Sequence, residues 1–139
     1  MICGKPVDNN GTYVDYLKQD KKNNCSRIVD KSDPESKRAE LEYKVLDCIQ
    51  TEEKDPQYLS LVEIKLLTGR HHQIRVQFSG HGTPLYGDGK YGNNEKAVRK
   101  SLALCAYHLK FKHPATGKIM DFQIKPDTGA FKLFSKSND

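Results

Sequence analysis

No stretch of this chain approaches the ~18 consecutive apolar residues that cross a bilayer. No basic N-terminal segment leads into an apolar run of the signal-peptide kind. Together these absences predict a cytoplasmic protein with no membrane partner. Paired cysteines are missing too: Cys3, Cys25, Cys48 and Cys105 lie far apart, with no C-x-x-C among them. A zinc ribbon needs two close pairs to close a tetrahedral site, so that metal class is excluded and reduced thiols are expected. Internal repeats and low-complexity linkers are absent as well. Gly87, Gly89 and Gly92 match neither a Walker loop nor a dinucleotide fingerprint, so no nucleotide cofactor is implied.

What is present suits one domain spanning residues 1–139. Hydrophobic residues make up 36% and charged residues 29%, with a mean hydropathy of -0.76. Short Leu, Ile, Val and Tyr runs are spread along the chain, which argues against wholesale disorder. The formal net charge of +5 is unevenly divided. Residues 1–69 carry 11 basic and 13 acidic side chains, a balance of -2, whereas residues 70–139 carry 12 and 5, a balance of +7. A positive field confined to one half fits a polyanionic partner, and it also fits a solvated lysine surface.

Along the chain, Thr12–Leu17 reads as a short helix or an extended segment. Asp30–Arg38 reads as a loop, and strands begin at Leu41 and Leu59 with a charged loop, Gln50–Gln57, between them. The run through Leu66 stops at Thr68-Gly69. Beyond it, Ile74 and Phe78 at i and i+4 predict a helix over Arg70–Ser79, capped by Thr68 and ended by Gly80. Gly82–Gly92 is turn-rich. Leu102–Phe111 and Ile119–Ile124 read as two more strands joined at His113–Gly117, and the tail after Ala130 is expected to fray. The fold class is α+β: a mixed, largely antiparallel sheet with flanking helices.

The densest polar constellation is Thr68 through Arg75. A strand-to-helix junction presents free backbone N–H groups, and two arginines, two histidines and a glutamine make it donor-rich. That set suits phosphates and base edges, and it equally suits capping a sheet and fixing a carboxylate. His71 and His72 are adjacent, so they form no i, i+4 metal pair, and no metal site is expected. Asp88 stands alone in Gly-Asp-Gly and reads as a structural carboxylate that fixes its loop through backbone hydrogen bonds. Tyr86 and Tyr91 suit turn packing or stacking on bases.

The run Thr68-Gly69-Arg70-His71-His72-Gln73-Ile74-Arg75, followed by Gly82-Thr83-Pro84-Leu85-Tyr86-Gly87-Asp88-Gly89-Lys90-Tyr91-Gly92, resembles the signature of the RluA-type pseudouridine synthases. Leu102–Tyr107, Phe111–Pro114, Gly4-Lys5-Pro6 and Ala39–Leu46 resemble further family elements, so the likeness covers nearly the whole chain. Three positions depart from the family pattern. His71 stands where a small hydroxylated residue is usual, and Cys105 and Gln77 stand where histidine is usual. The family's nucleophilic aspartate sits in an H-R-L-D segment, and no such segment occurs in these 139 residues. The resemblance therefore implies the C-terminal part of a pseudouridine synthase catalytic domain.

That likeness implies cofactor-free isomerisation of uridine in ribosomal or transfer RNA, the base leaving the stack before it reacts. By position in the motif, Arg75 is the catalytic candidate, the charge partner that keeps the nucleophile ionised. Arg70, His71, His72, Gln73, Lys90 and Tyr91 are the candidate RNA-binding residues. Without the nucleophile the 139-residue chain is expected to be inactive, so a non-catalytic RNA-binding module and an inert truncated remnant stand as alternatives. A sheet that has lost neighbours also predicts a homodimer through an exposed edge.

Overall fold

The computed structural model describes residues 1–92 and 100–135. In chain order these form β1 (Ile2–Cys3), β2 (Asn10–Asp20), β3 (Cys25–Ile28), β4 (Lys37–Gln50), β5 (Tyr58–Leu66), α1 (Gln73–Gly80), β6 (His108–Lys112) and β7 (Ile119–Gln123). A 3₁₀ turn at Gly129–Phe131 leads into α2 (Lys132–Ser135). Five strands make one sheet in the order β1-β5-β4-β2-β3, and β6 and β7 form a separate hairpin. Every strand pairing is antiparallel. The expected α+β architecture is present, although the sheet is not mixed.

Thr12–Leu17 is extended, inside β2. Val14 is 45% exposed and Leu17 only 4%, so the two do not share a buried helical face. Pairing with β4 from Asn10 to Leu17, with β-forming Tyr13 and Tyr16 in the run, settles the segment as strand. At the other side of the same loop, β4 begins at Lys37, taking the last two residues of the expected Asp30–Arg38 loop. The Gln50–Gln57 connection closes as expected, with Thr51 N–H donating to the Gln57 carbonyl.

The sheet is covered on both faces, and a register shift between Val45 and Asp47 changes which positions of β4 serve which face. Paired residues share a face, and successive residues alternate between faces. Leu41 and Tyr43 pair with Leu66 and Ile64 on one face; Ile49 pairs with Leu59 on the other. Leu46 is the extra residue of this bulge and is 53% exposed. The first face packs Ile2, Leu41, Tyr43, Phe78 and Leu85 into a core under α1. The second gathers Met1, Leu59, Ala103 and Phe134.

Three further expectations are corrected. The helix runs from Gln73 to Gly80, so Arg70, His71 and His72 precede it; His72 is left-handed (φ 53) and turns the chain into α1. Thr68 therefore does not cap the helix. The strand expected from Leu102 starts only at His108, because Ala103 N–H is committed to the Tyr86 carbonyl and Ala103 is buried in the second core. The tail is ordered through Ser135, since Phe134 is 7% exposed against Met1, Leu59 and Ala103; the last four residues lie outside the described chain.

Candidate nucleic-acid interface and active-site half

The junction after β5 is held by Gln73, 4% exposed. Its Oε1 accepts from the Thr68 hydroxyl at 2.8 Å and from Arg70 N–H at 2.9 Å, while its Nε2 donates to the Glu40 carbonyl at 3.1 Å. Thr68 Oγ1 in turn accepts from Glu40 N–H at 2.8 Å. These bonds tie the loop to β4 and satisfy backbone groups that the end of β5 would otherwise leave unpaired. Arg70 follows the same direction, its Nε donating to the Arg38 carbonyl at 2.9 Å. Gln73 and Arg70 thus face β4, away from Arg75.

Arg75 belongs to a second cluster, one turn into α1. Its Nε donates to Asp88 Oδ2 and its Nη2 to Oδ1, each at 2.8 Å, a bidentate pair in the geometry guanidinium favours. The guanidinium carbon lies 4.9 Å from the Tyr91 ring centroid, and Nη1 donates to His72 Nε2 at 3.3 Å. Three of its five N–H donors are engaged, which leaves two on Nη1 and Nη2 with no partner among the described residues.

The Asp88 side chain is fully buried. Oδ1 also accepts from the Lys90 and Tyr91 amides, both at 3.0 Å, which is the loop-fixing role expected of it. Burial works to raise this carboxyl, but Arg75 and the two amides outweigh it and hold the acid below its usual range. The ion pair with Arg75 was not legible from the sequence, where Arg75 and Asp88 stand 13 positions apart in different motifs. Gly87 makes the turn possible: it has φ +77, and a Cβ there would meet the Ser101 carbonyl oxygen at 2.3 Å.

The two histidines also lie in this cluster. They precede α1, and their ring centroids are 3.8 Å apart. His71 meets Ser26 Oγ at 2.8 Å, in β3, and Asn24 Oδ1 at 3.0 Å, in the β2–β3 turn. Tyr91 Oη accepts from Ser26 N–H at 2.9 Å and meets His72 Nδ1 at 2.8 Å, and Lys90 Nζ donates to the Asn24 carbonyl at 2.6 Å. The structure therefore gathers His71, His72, Lys90 and Tyr91 around Arg75, and it uses their polar atoms to latch the β2–β3 turn. Ser26 and Asn24 carried no signal in the sequence. Gln77, singled out as a departure, is fully buried and donates to Asp15 Oδ2 at 2.8 Å on the far side of α1. No group of three or more histidine, cysteine or acidic residues among the described residues has metal-site geometry.

A half-buried, carboxylate-clamped arginine in the first turn of a helix on an antiparallel sheet is the centre of this site. The family model for RNA pseudouridylate synthase matches residues 1–80, and the chain belongs to that family. An uncharacterized RNA pseudouridine synthase of Aquifex aeolicus is 41% identical over 103 residues, 68% of this chain and 31% of its own length. Ribosomal large subunit pseudouridine synthase D of Zymomonas mobilis is 37% identical over 110 residues, 73% of this chain and 32% of that protein. The chain thus spans about a third of these curated relatives. Among solved structures, human RNA pseudouridylate synthase domain containing 1 superposes with a TM-score of 0.75 at 22% identity, covering 91% of this chain and 52% of that one.

Proposed function

We propose that this chain supplies the arginine-bearing part of an RNA pseudouridine synthase, with uridine in ribosomal or transfer RNA as substrate. The observation that carries the reading is the Arg75 fork. One edge is fixed by buried Asp88, and two N–H donors remain to pair with a second carboxylate. A carboxylate seated there is held ionised by charge pairing and hydrogen bonding, as a nucleophile at a sugar carbon requires. The 139 residues contain no H-R-L-D, so Arg75 has a task here without the group it would serve.

The polypeptide on its own is therefore expected to bind RNA weakly through residues 70–139 and to make no pseudouridine. Tritium release from C5-labelled uridine in bulk RNA is the assay. Turnover above a no-protein control, in preparations free of host synthases, would overturn the inactive reading. Two-fold association of copies is part of the proposal: β1 covers β5 only at Leu59 and Ser60, and the β6–β7 hairpin exposes Leu109, Ile119 and Phe122 by half or more.

A further inference from the structure

Every donor and acceptor on His72 is assigned by its neighbours, and the assignment is informative. Guanidinium only donates, so His72 Nε2, 3.3 Å from Arg75 Nη1, presents a lone pair. Nδ1 then carries the proton and donates to Tyr91 Oη, which also accepts from Ser26 N–H. The imidazole is neutral in this arrangement. Arg75 and Lys90 lie close to it, the His71 ring is tilted against it with centroids 3.8 Å apart, and among the described residues Asp88, already committed to Arg75, is the carboxylate that acts on it. Burial and these cations hold His72 below the usual histidine range. The residue also sits at φ 53, a left-handed conformation in which histidine is enriched among non-glycine residues, and the ring lies beside Arg75.

We propose that His72 Nε2 and Arg75 Nη1 together bind a phosphodiester oxygen of the RNA, and that His72 takes up a proton as the phosphate arrives. The inference rests on the RNA reading above and adds the contact and its proton linkage. Two nitrogens 3.3 Å apart, one donating to the other, become two donors once His72 is protonated, and two donors need an acceptor between them. A phosphate oxygen supplies that acceptor and the negative charge that offsets Arg75 and Lys90. Proton uptake on binding means that affinity rises as pH falls through the His72 titration, independently of the salt-dependent attraction of the whole basic half.

The test follows the histidine ring signals by NMR between about pH 5 and 8, around the ordinary histidine value. Spectra are taken for the protein alone, with inorganic phosphate, and with a uridine-containing RNA hairpin at low salt. The free protein should show His72 titrating below its usual value, and the RNA should raise that midpoint by about one unit, a tenfold gain in affinity across the titration. His113, at the hairpin turn, should not move. His72→Asn keeps a residue that tolerates positive φ and removes the ring, so its RNA affinity should lose that pH dependence. RNA that binds without moving His72, or full pH dependence in His72→Asn, would each overturn the site while leaving the family reading intact, whereas a midpoint that inorganic phosphate alone also raises would support the phosphate contact. Absence of any salt-sensitive RNA binding by the wild type would instead overturn the RNA reading, and this site with it.

Discussion

Around Arg75 and around Phe122, the same chain solves opposite problems. Arg75 is a cation with 18% of its side chain exposed, and the molecule surrounds it with a carboxylate, a ring face and an imidazole lone pair. Phe122 is a large apolar ring left 51% exposed on a two-stranded hairpin, where Leu109 lies directly opposite and is 59% exposed. The first region invests its polar groups in one another, so it is internally complete and easily broken from within. The second has apolar area and little to cover it, and a hairpin of two strands is marginal alone. The difference teaches where substitutions will be felt as lost stability and where they will be felt as lost association.

The contrast is broken most severely at Asp88. Asp88→Ala strands the Arg75 charge and removes the acceptor for two amides, and should cost about 3–5 kcal/mol, measured by urea unfolding. A loss below about 1 kcal/mol would mean the pair is no more than a surface salt bridge.

Acid sharpens the same contrast by a smaller amount. Asp88 is held below its unfolded value, so the stability it contributes is present above about pH 3.9 and is lost as pH falls through the folded value. His72 is a base held low, so the folded state binds fewer protons than the unfolded chain, and stability begins to fall once pH drops below about 6.5. Melting temperature should therefore decline in two stages on acidification, and His72→Asn should remove the earlier one.

At the hairpin, Phe122→Lys should change stability by no more than about 0.5 kcal/mol, the scale of an ordinary surface substitution. Its effect should appear in light scattering over a concentration series, as a shift from dimer toward monomer. A variant that unfolds instead would show that the ring packs within its own copy.

The sequence made some of this legible for definite physical reasons. Val-, Ile- and Leu-rich alternation located β4 and β5, and the motif run located Arg75 and the turn at Asp88. Their pairing stayed hidden because it joins two motifs through space, and a lone carboxylate between glycines looks the same whether or not it meets a cation. The helix start was misplaced because i, i+4 spacing registers Ile74 and Phe78 but is blind to a left-handed residue at His72. The tail looked free because Phe134 finds its cover in Met1 and Leu59, far away in sequence. Latching of the β2–β3 turn by His71 could not be read either, since Ser26 and Asn24 are an ordinary strand residue and an ordinary turn residue until the histidine hydrogen-bonds to both.

Leu46 has one more consequence. It acts as a parity switch in β4: Leu41 and Ile49 are both odd-numbered, yet they serve opposite faces because one surplus residue lies between them. Removing Leu46 would leave an odd number of steps from Leu41 to Ile49, so strict alternation alone would keep Ile49 on the Leu59 face, opposite Leu41. A single-codon deletion of this exposed residue should therefore leave both cores paired, whereas an insertion beside it, absorbed without a second bulge, would turn Ile49 away from Leu59.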